Sequence, residues 1–540
     1  NMAMKNYTIT ILRNGTEKVI QGTIGESLLT ALSEHEIYIS AACGGKGRCG
    51  KCGVVMYDGV TKAGESDRQF FSERQLEQGI RLACAAYPTG DCRIEILGSD
   101  EADFEVVTDY RGAGSEPEGT DAPQKAYEAG CHDIAIDIGT TTLAVSLVGR
   151  VNGETRHAHT VTSVNHQRAY GADVISRIQA ACDGKLAELS HSIRRDLCAD
   201  LIRLLEESEM DLSEVGQIAV SGNTTMEHLL MEFPCETLGV YPFDPVDISL
   251  IRTDFDTLFG EAMAEELGES PSLSVPVTLL PGISTYVGAD IVAGLLSCGF
   301  DRTDSVNVLI DLGTNGEMAI GNREKILVTS TAAGPAFEGG NISCGMGSVH
   351  GAICGVEING NDVRWETIGG TEPLGLCGTG VIETACELLK EELIDETGML
   401  DEDYFDDGFP LAESAEGQQI VFTQKDVREI QLAKSAVRAG LETLLLHYGA
   451  TYDDIGCVYL AGGFGYRMDL KKAAGIGLLP EELLERTVAV GNSSLEGCAE
   501  FLTDPEAEAR IARIIDVSTE VQLGADKDFN NFYTEYMFFE

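Results

Sequence analysis

The run Cys43-Gly44-Gly45-Lys46-Gly47-Arg48-Cys49-Gly50-Lys51-Cys52 constrains this chain more than any other stretch. Three cysteines stand in C-x5-C-x2-C spacing among glycines and basic residues, and a fourth follows at Cys84. Glycine is needed where backbone must wrap closely around a bound group and aim its N–H groups at it. Zinc sites usually draw thiolates from C-x2-C pairs, and this chain has a single such pair, Cys49 and Cys52. The spacing instead suits an iron–sulfur cluster held by Cys43, Cys49, Cys52 and Cys84.

The flanking sequence supplies a small scaffold for that loop. Residues 7–12 alternate as a strand, Asn14-Gly15 is a hairpin signal, and residues 18–21 begin the return. Residues 27–36 have helical spacing through Leu28, Leu29 and Leu32. Residues 54–57 and 93–97 read as strands, and 72–78 as a helix. This module resembles the β-grasp [2Fe–2S] ferredoxins. Its first cysteine gap is one residue longer than the plant-type C-x4-C-x2-C, as in the adrenodoxin-like branch. Cys92 reads as a thiol outside the ligand set. Lys46, Arg48 and Lys51 either raise the cluster potential or form a docking patch for an acidic face; the residues leave both open.

At 540 residues the chain exceeds one compact core. Residues 1–98 carry 11 basic and 11 acidic side chains, so the whole net charge of −50 falls on the remainder. Such charge repels nucleic acid and anionic membranes. There is no signal-peptide pattern and no apolar run of about 18 residues. The sixteen cysteines therefore read as cluster ligands plus buried reduced thiols of a cytoplasmic protein. Residues 99–132, with nine acidic side chains and a Gly/Pro/Glu tract, read as a flexible acidic linker.

Beyond residue 133 the sequence repeats itself. Ile136-Asp137-Ile138-Gly139-Thr140-Thr141-Thr142 returns as Ile310-Asp311-Leu312-Gly313-Thr314-Asn315-Gly316-Glu317. Each is an apolar strand, an aspartate and a tight glycine turn, which is the mark of duplication. Turn amides and hydroxyls suit phosphate oxygens, and an aspartate at a strand end suits Mg²⁺ held through water. A third strand runs into Gly462-Gly463-Phe464-Gly465, where bare backbone can accept adenosine. Residues 217–221 form a strand ending at Asn223 and Thr224, which either meet phosphate and attacking water or cap the helix over 227–231. Residues 173–210 hold one or two long helices. Glycine-rich stretches at 332–340 and 374–380 close on nucleotide, present a loop to a partner, or are turns with buried thiols; the residues leave all three open. Cys344 and Cys377 lack the C-x-x-C or base that a redox role needs. The aromatic tail is expected to be packed.

These segments resemble, in order, the two phosphate motifs and the adenosine motif of the actin-like (ASKHA) ATPase superfamily. Residues 281–290 and 491–499 resemble its two connecting helices. The resemblance implies a duplicated RNase H-like ATPase with halves at 133–300 and 301–485 and a return helix and tail at 486–540. It implies ATP and Mg²⁺ bound by Gly139, Thr140, Thr141, Thr142, Gly313, Thr314, Asn315, Gly462, Gly463, Phe464 and Gly465. Asp311, Glu317, Asp137 and Asn223 are the candidate catalytic residues. The fold needs no Walker lysine, because positioning and charge stabilisation carry phosphoryl transfer.

The whole arrangement, an α/β multidomain chain with an N-terminal ferredoxin-like domain at 1–98, resembles the reductive activators of corrinoid proteins. That resemblance implies a one-electron, ATP-dependent return of inactive Co(II) to Co(I) on a corrinoid protein of a methyltransferase system. It further implies a low-potential electron donor and a homodimer formed through the ATPase region. Three alternatives use the same modules: an ATP-dependent activator of another low-potential metalloenzyme, a redox-sensing ATPase switch, and a small-molecule kinase with a fused ferredoxin.

Overall fold

A computed structural model describes residues 6–539, apart from 14–15, 36, 38, 40–44, 46, 48–49, 51, 97–131, 152–153, 269–273, 415–416 and 463–467. The Asn14-Gly15 turn, Cys43, Cys49, the basic residues Lys46, Arg48 and Lys51, most of the linker, and Gly463, Phe464 and Gly465 thus lie outside the described residues.

The first module is a five-stranded sheet. Its strands are β1 (Asn6–Arg13), β2 (Thr16–Thr23), β3 (Gly53–Asp58), β4 (Ile80–Leu82) and β5 (Cys92–Ile96), in the order β2-β1-β5-β3-β4. Alternation dictates its buried face: Tyr7, Ile9 and Ile11 point inward from β1, with Val54 and Met56 from β3. Helix Leu28–Glu34 covers that face, and Ser27 caps it by accepting the Thr30 N–H at 3.2 Å.

The two ATPase halves share one plan. The first contains β6 (Asp133–Ile138), β7 (Thr142–Val151), β8 (Glu154–Val164), β9 (Ile218–Gly222), β10 (Ile251–Asp254) and β11 (Pro276–Leu279), ordered β10-β11-β9-β6-β7-β8. The second contains β12 (Val306–Leu312), β13 (Gly316–Gly321) and β14 (Ile326–Thr331). After an insertion carrying β15 (Ala352–Asn359), β16 (Asp362–Thr367), β17 (Gly375–Leu376), β18 (Phe409–Glu413) and β19 (Gln419–Phe422), the main sheet resumes. It is completed by β20 (Ile455–Ala461), β21 (Thr487–Gly491) and β22 (Ser518–Glu520), ordered β21-β20-β12-β13-β14-β22. In each half three antiparallel strands are followed by a long helix, Leu186–Glu207 or Gln424–Tyr448, and then by a strand parallel to the first. The helical stretch expected over 173–210 is two segments, because Gly184 takes φ +92° between Val174–Ala180 and Leu186–Glu207.

Each main sheet has one face on its own core and the other on a shared joint. At the joint, Ala135, Ala144 and Ala219 of the first sheet and Leu309, Ala319 and Val328 of the second enclose two connecting helices, Ala289–Ser297 and Ser493–Thr503. The helices touch through small residues. A Cβ on Gly497 would lie 2.1 Å from the Ala293 carbonyl oxygen, and one on Gly294 would lie 2.9 Å from Ser493 Oγ. The return helix expected beyond residue 486 is Ser493–Thr503, and strands flank it. Strands β21 and β22 pair with β20 and β14, so the last 55 residues are woven into the second sheet by hydrogen bonding that their short length hides in the sequence.

The aromatic tail is packed. The buried Lys434 Nζ donates to the carbonyls of Tyr536 (2.5 Å) and Phe538 (2.7 Å), and Phe539 is buried against the second core. The described cysteines are free thiols, but burial is less general than expected: Cys182 is exposed and Cys298, Cys344, Cys354, Cys386 and Cys457 are half-buried.

Gly497→Ala should therefore force the connecting helices apart, since a backbone oxygen cannot yield as a side chain does. The expected cost is about 1–3 kcal/mol, read as a lower melting temperature of the ATPase region, with the ferredoxin module's visible absorbance unchanged.

Candidate functional site

The first phosphate turn grows from the end of β6. Gly139 N–H donates to the Thr142 carbonyl at 3.0 Å, and a Cβ on Gly139 would lie 2.4 Å from that oxygen. The turn is held from behind. Asn165 Nδ2 donates to the Gly139 carbonyl at 2.9 Å, Asn165 N–H to the Thr141 carbonyl at 2.9 Å, and Arg177 Nη2 to the Thr140 carbonyl at 2.6 Å. With its carbonyls engaged behind, the turn is braced in one geometry beside the cleft between the halves.

Asn223 is the helix cap, and its amide also reaches the first phosphate turn. Its Oδ1 accepts the Met226 N–H at 3.0 Å as the cap of helix Thr224–Met231, and its Nδ2 donates to Thr140 Oγ1 at 3.1 Å. The helix starts three residues earlier than expected. Thr224 is not the cap, and its hydroxyl donates to the Ser284 carbonyl at 2.7 Å. This contact ties the strand end to the first connecting segment.

Asp137 is engaged rather than free. Its Oδ2 accepts Asn492 Nδ2 and its Oδ1 accepts Ser494 Oγ, each at 2.7 Å. Asn492 in turn caps helix Ser493–Thr503 through the Leu495 N–H. Asp137 is thus the fastener between the first phosphate turn and the second connecting helix. Burial raises its pKa, against the two donors that lower it.

The second turn repeats the first with more charge. Gly313 N–H donates to the Asn315 carbonyl at 3.0 Å. Register places Asp311 beside Glu317 across β12 and β13, whereas its counterpart Asp137 pairs with Ala144. The duplication has therefore put an extra carboxylate on one side only. Thr314 Oγ1 donates to Glu338 Oε2 at 2.6 Å, which seats the glycine-rich stretch 332–340 on the phosphate turn. The stretch 374–380 lies beneath it: a Cβ on Gly378 would meet the Phe337 carbonyl at 1.8 Å.

Charge accumulates where these pieces meet. Burial, followed by the neighbouring Asp290, Asp137 and Glu338, pushes Asp311 up to about 8. Burial and then Asp137 push Asp290 to about 7. Burial also raises Glu317, Glu338 and Glu227. Buried carboxylates of like sign disfavour one another's ionised form, and this donor set fits a hard divalent cation bound through oxygen. Within this set Asp311 and Glu317 stand directly opposite each other on neighbouring strands. Glu338, Arg177 and Asn165 were not anticipated as site residues, because only the fold brings them to the turns. Asp290, Asn492 and Ser494 lay within the connecting-helix motifs, which were the available signal.

On the adenosine side, Gly462 has φ +117° and a Cβ there would lie 2.4 Å from the Leu312 carbonyl. No other residue type fits that approach.

At the ferredoxin end, Cys52 and Cys84 are buried side by side. The Cys84 thiol hydrogen-bonds Cys52 and pulls it down to about 7. A thiol so lowered, with a second thiol beside it, is the donor chemistry that iron takes. Gly45, Gly47 and Gly50 have φ between +67° and +79°, the left-handed backbone expected of a cluster loop. Cys92 lies in β5 and burial pushes it to about 11. Cys84, Gly45 and Tyr87 share a cavity of about 760 Å³ with Tyr170, Ser176 and His191 of the first half.

Comparison with known proteins matches all three regions. Residues 11–89 match the 2Fe-2S iron-sulfur cluster binding domain, 132–303 the RACo middle region, and 305–540 the C-terminal domain of RACo, its ASKHA domain. The corrinoid activation enzyme RamQ of Eubacterium limosum is 32% identical over 432 residues, covering 76% of this chain and 71% of that protein. This chain belongs to the reductive activators of corrinoid proteins. The [Co(II) methylated amine-specific corrinoid protein] reductase of Methanosarcina barkeri is 27% identical over 430 residues, covering 74% and 76% of the two chains. A solved reductive activator for a corrinoid, iron-sulfur protein superposes with a TM-score of 0.69 at 27% identity over 99% of this chain and 98% of that one. The activator is thus a corrinoid protein reductase with an ASKHA ATPase domain, as its motifs implied.

Two outcomes are expected. Cys84→Ser in the activator should abolish the cluster's visible absorbance and its reduced-state electron paramagnetic resonance, while Cys92→Ser should leave both unchanged. Asp311 holds a proton in the folded protein that the unfolded chain releases near about 4. The folded state therefore binds more protons, and stability is lost as pH rises toward about 8. The nucleotide-free protein should melt at lower temperature as pH rises from about 6 to 8.5. Asp311→Asn should flatten that dependence and slow ATP turnover by about 10²–10⁴-fold.

Proposed function

We propose that this activator couples MgATP binding and hydrolysis in the cleft between its halves to one-electron reduction of a Co(II) corrinoid on a partner protein. The observation that carries the reading is the pairing, in one chain, of two braced phosphate turns converging on an acidic cleft with a buried cysteine pair in a ferredoxin sheet. A [2Fe–2S] cluster held by Cys43, Cys49, Cys52 and Cys84 supplies electrons one at a time. The balance is simple: cobalt gains one electron in passing from Co(II) to Co(I), and a low-potential donor replaces it.

The chain's residues do the rest. Gly139, Thr140, Thr141, Gly313, Thr314 and Asn315 hold the phosphate chain. Asp311 and Glu317 hold Mg²⁺ and orient water, and Gly462 and its neighbours receive adenosine. Asp137 carries the cleft's state into helix Ser493–Thr503, and so into the joint between the halves. An uphill one-electron step costs about 1.4 kcal/mol per 59 mV. Nucleotide-dependent docking offsets this by favouring the complex whose cobalt is easier to reduce, since a ligand shifts an equilibrium only by its differential affinity for the two states. The partner is a corrinoid protein of a methyltransferase system serving methylated amines or O-demethylation, and the activator works as a homodimer through its ATPase region.

The test follows ATP turnover and the cobalt spectrum together, using anaerobic full-length protein with and without a Co(II) corrinoid protein. Co(I) should appear only with ATP, from protein that sediments as a dimer. Cobalt reduction at the same rate without ATP would refute the coupling.

A further inference from the structure

Arg177 lies on helix Val174–Ala180 and is fully buried; with Arg510 it is the largest such side chain among the described residues. Burying a charge is costly unless its hydrogen bonds are met, and here each of the three guanidinium nitrogens reaches a defined acceptor. Nε donates to the Gly171 carbonyl at 2.9 Å, Nη2 to the Thr140 carbonyl at 2.6 Å, and Nη1 to Gln167 Oε1 at 3.3 Å and Met226 Sδ at 3.4 Å. Met226 N–H is held by Asn223, whose amide reaches Thr140 Oγ1. The guanidinium thus closes a ring: Thr140, Arg177, Met226, Asn223 and back to Thr140.

Two features separate this arginine from an ordinary core group. It grips the phosphate turn itself, through a backbone carbonyl. It also puts a positive charge behind a cleft crowded with carboxylates, with Glu338 across from it and Asp173, Asp196 and a second cation, Arg168, on its own side. Burial lowers its pKa to about 9, so it stays cationic at neutral pH. A phosphate chain brought into that cleft adds several negative charges to the acidic groups already there. A cation fixed behind the turn offsets part of that repulsion. Lysine does not replace it geometrically, because acceptors lie in three directions and only the planar fork reaches them all.

We propose that Arg177 is a positioning residue for the phosphates of ATP, acting through the Thr140 peptide, a role that rests on the ATP-dependent reading above. It fixes the turn's amides in place and supplies the standing positive potential that a triphosphate needs and a nucleoside does not.

The test compares the affinities of ATP and adenosine for the full-length, cluster-containing protein and its Arg177→Gln and Arg177→Lys variants by calorimetry, with turnover measured alongside. Arg177→Gln should weaken ATP by about tenfold or more and leave adenosine within about twofold, and Arg177→Lys should recover part of the loss. KM for ATP should rise more than kcat falls. Equal loss of ATP and adenosine binding would reduce Arg177 to a structural role, and unchanged ATP affinity would overturn the proposal outright. If Arg177→Gln does not fold, the ATP-to-adenosine ratio of Arg177→Lys decides alone. A wild-type protein that bound no ATP would instead refute the functional reading on which the proposal rests.

Discussion

The grip of Asp137 on the start of helix Ser493–Thr503 is the contact on which the rest depends. One carboxylate at the end of a strand accepts from Asn492 and Ser494, residues more than 350 positions away in sequence. The same helix crosses Ala289–Ser297 at a distance that only Gly497 and Gly294 permit. The first phosphate turn, the second connecting helix and the joint between the halves therefore form one mechanical unit. A change of charge or geometry at the turn reaches the joint through two hydrogen bonds.

Electrostatics give that unit its sensitivity. Asp137, Asp290, Asp311, Glu317 and Glu338 crowd a cleft in which burial disfavours every negative charge. That crowding is a tension among like charges held close together. The tension is uneven because the duplication is imperfect: Glu317 faces Asp311 where the first half has only Ala144 beside Asp137. The second half carries the excess acid, and the first half carries Arg177 and the bracing amides. Two copies of one fold have thereby become a donor side and a charge-stabilising side.

The segment from His166 through Ala180 has two neighbours of consequence. Its inner residues, Gln167 and Arg177, support the phosphate turn. Tyr170 and Ser176 line the cavity shared with Cys84. One short segment thus faces the phosphate turn on one side and the cavity beside the ferredoxin module on the other.

Local chemistry was legible in the sequence by itself. Cysteine spacing with glycine announced the cluster loop, since few other structures need both. Alternation set β1 and β3, Ser27 marked its helix start, and the repeated Asp-x-Gly-Thr turns declared a duplicated phosphate site. What stayed hidden was whatever requires distant segments to meet. Either Asn223 or Thr224 could be the cap on sequence grounds, and the choice of Asn223 shows only in the fold, where the Thr224 hydroxyl is engaged by Ser284, 60 residues away. Strands β21 and β22 are too short to signal themselves and exist only because β20 and β14 offer them edges. Arg177 carries no motif, and its meaning comes from a carbonyl 37 residues upstream. Spacing and periodicity are properties of neighbouring residues, so the sequence determines them. The charge balance of a cleft is a property of tertiary contacts, and only the folded chain decides it.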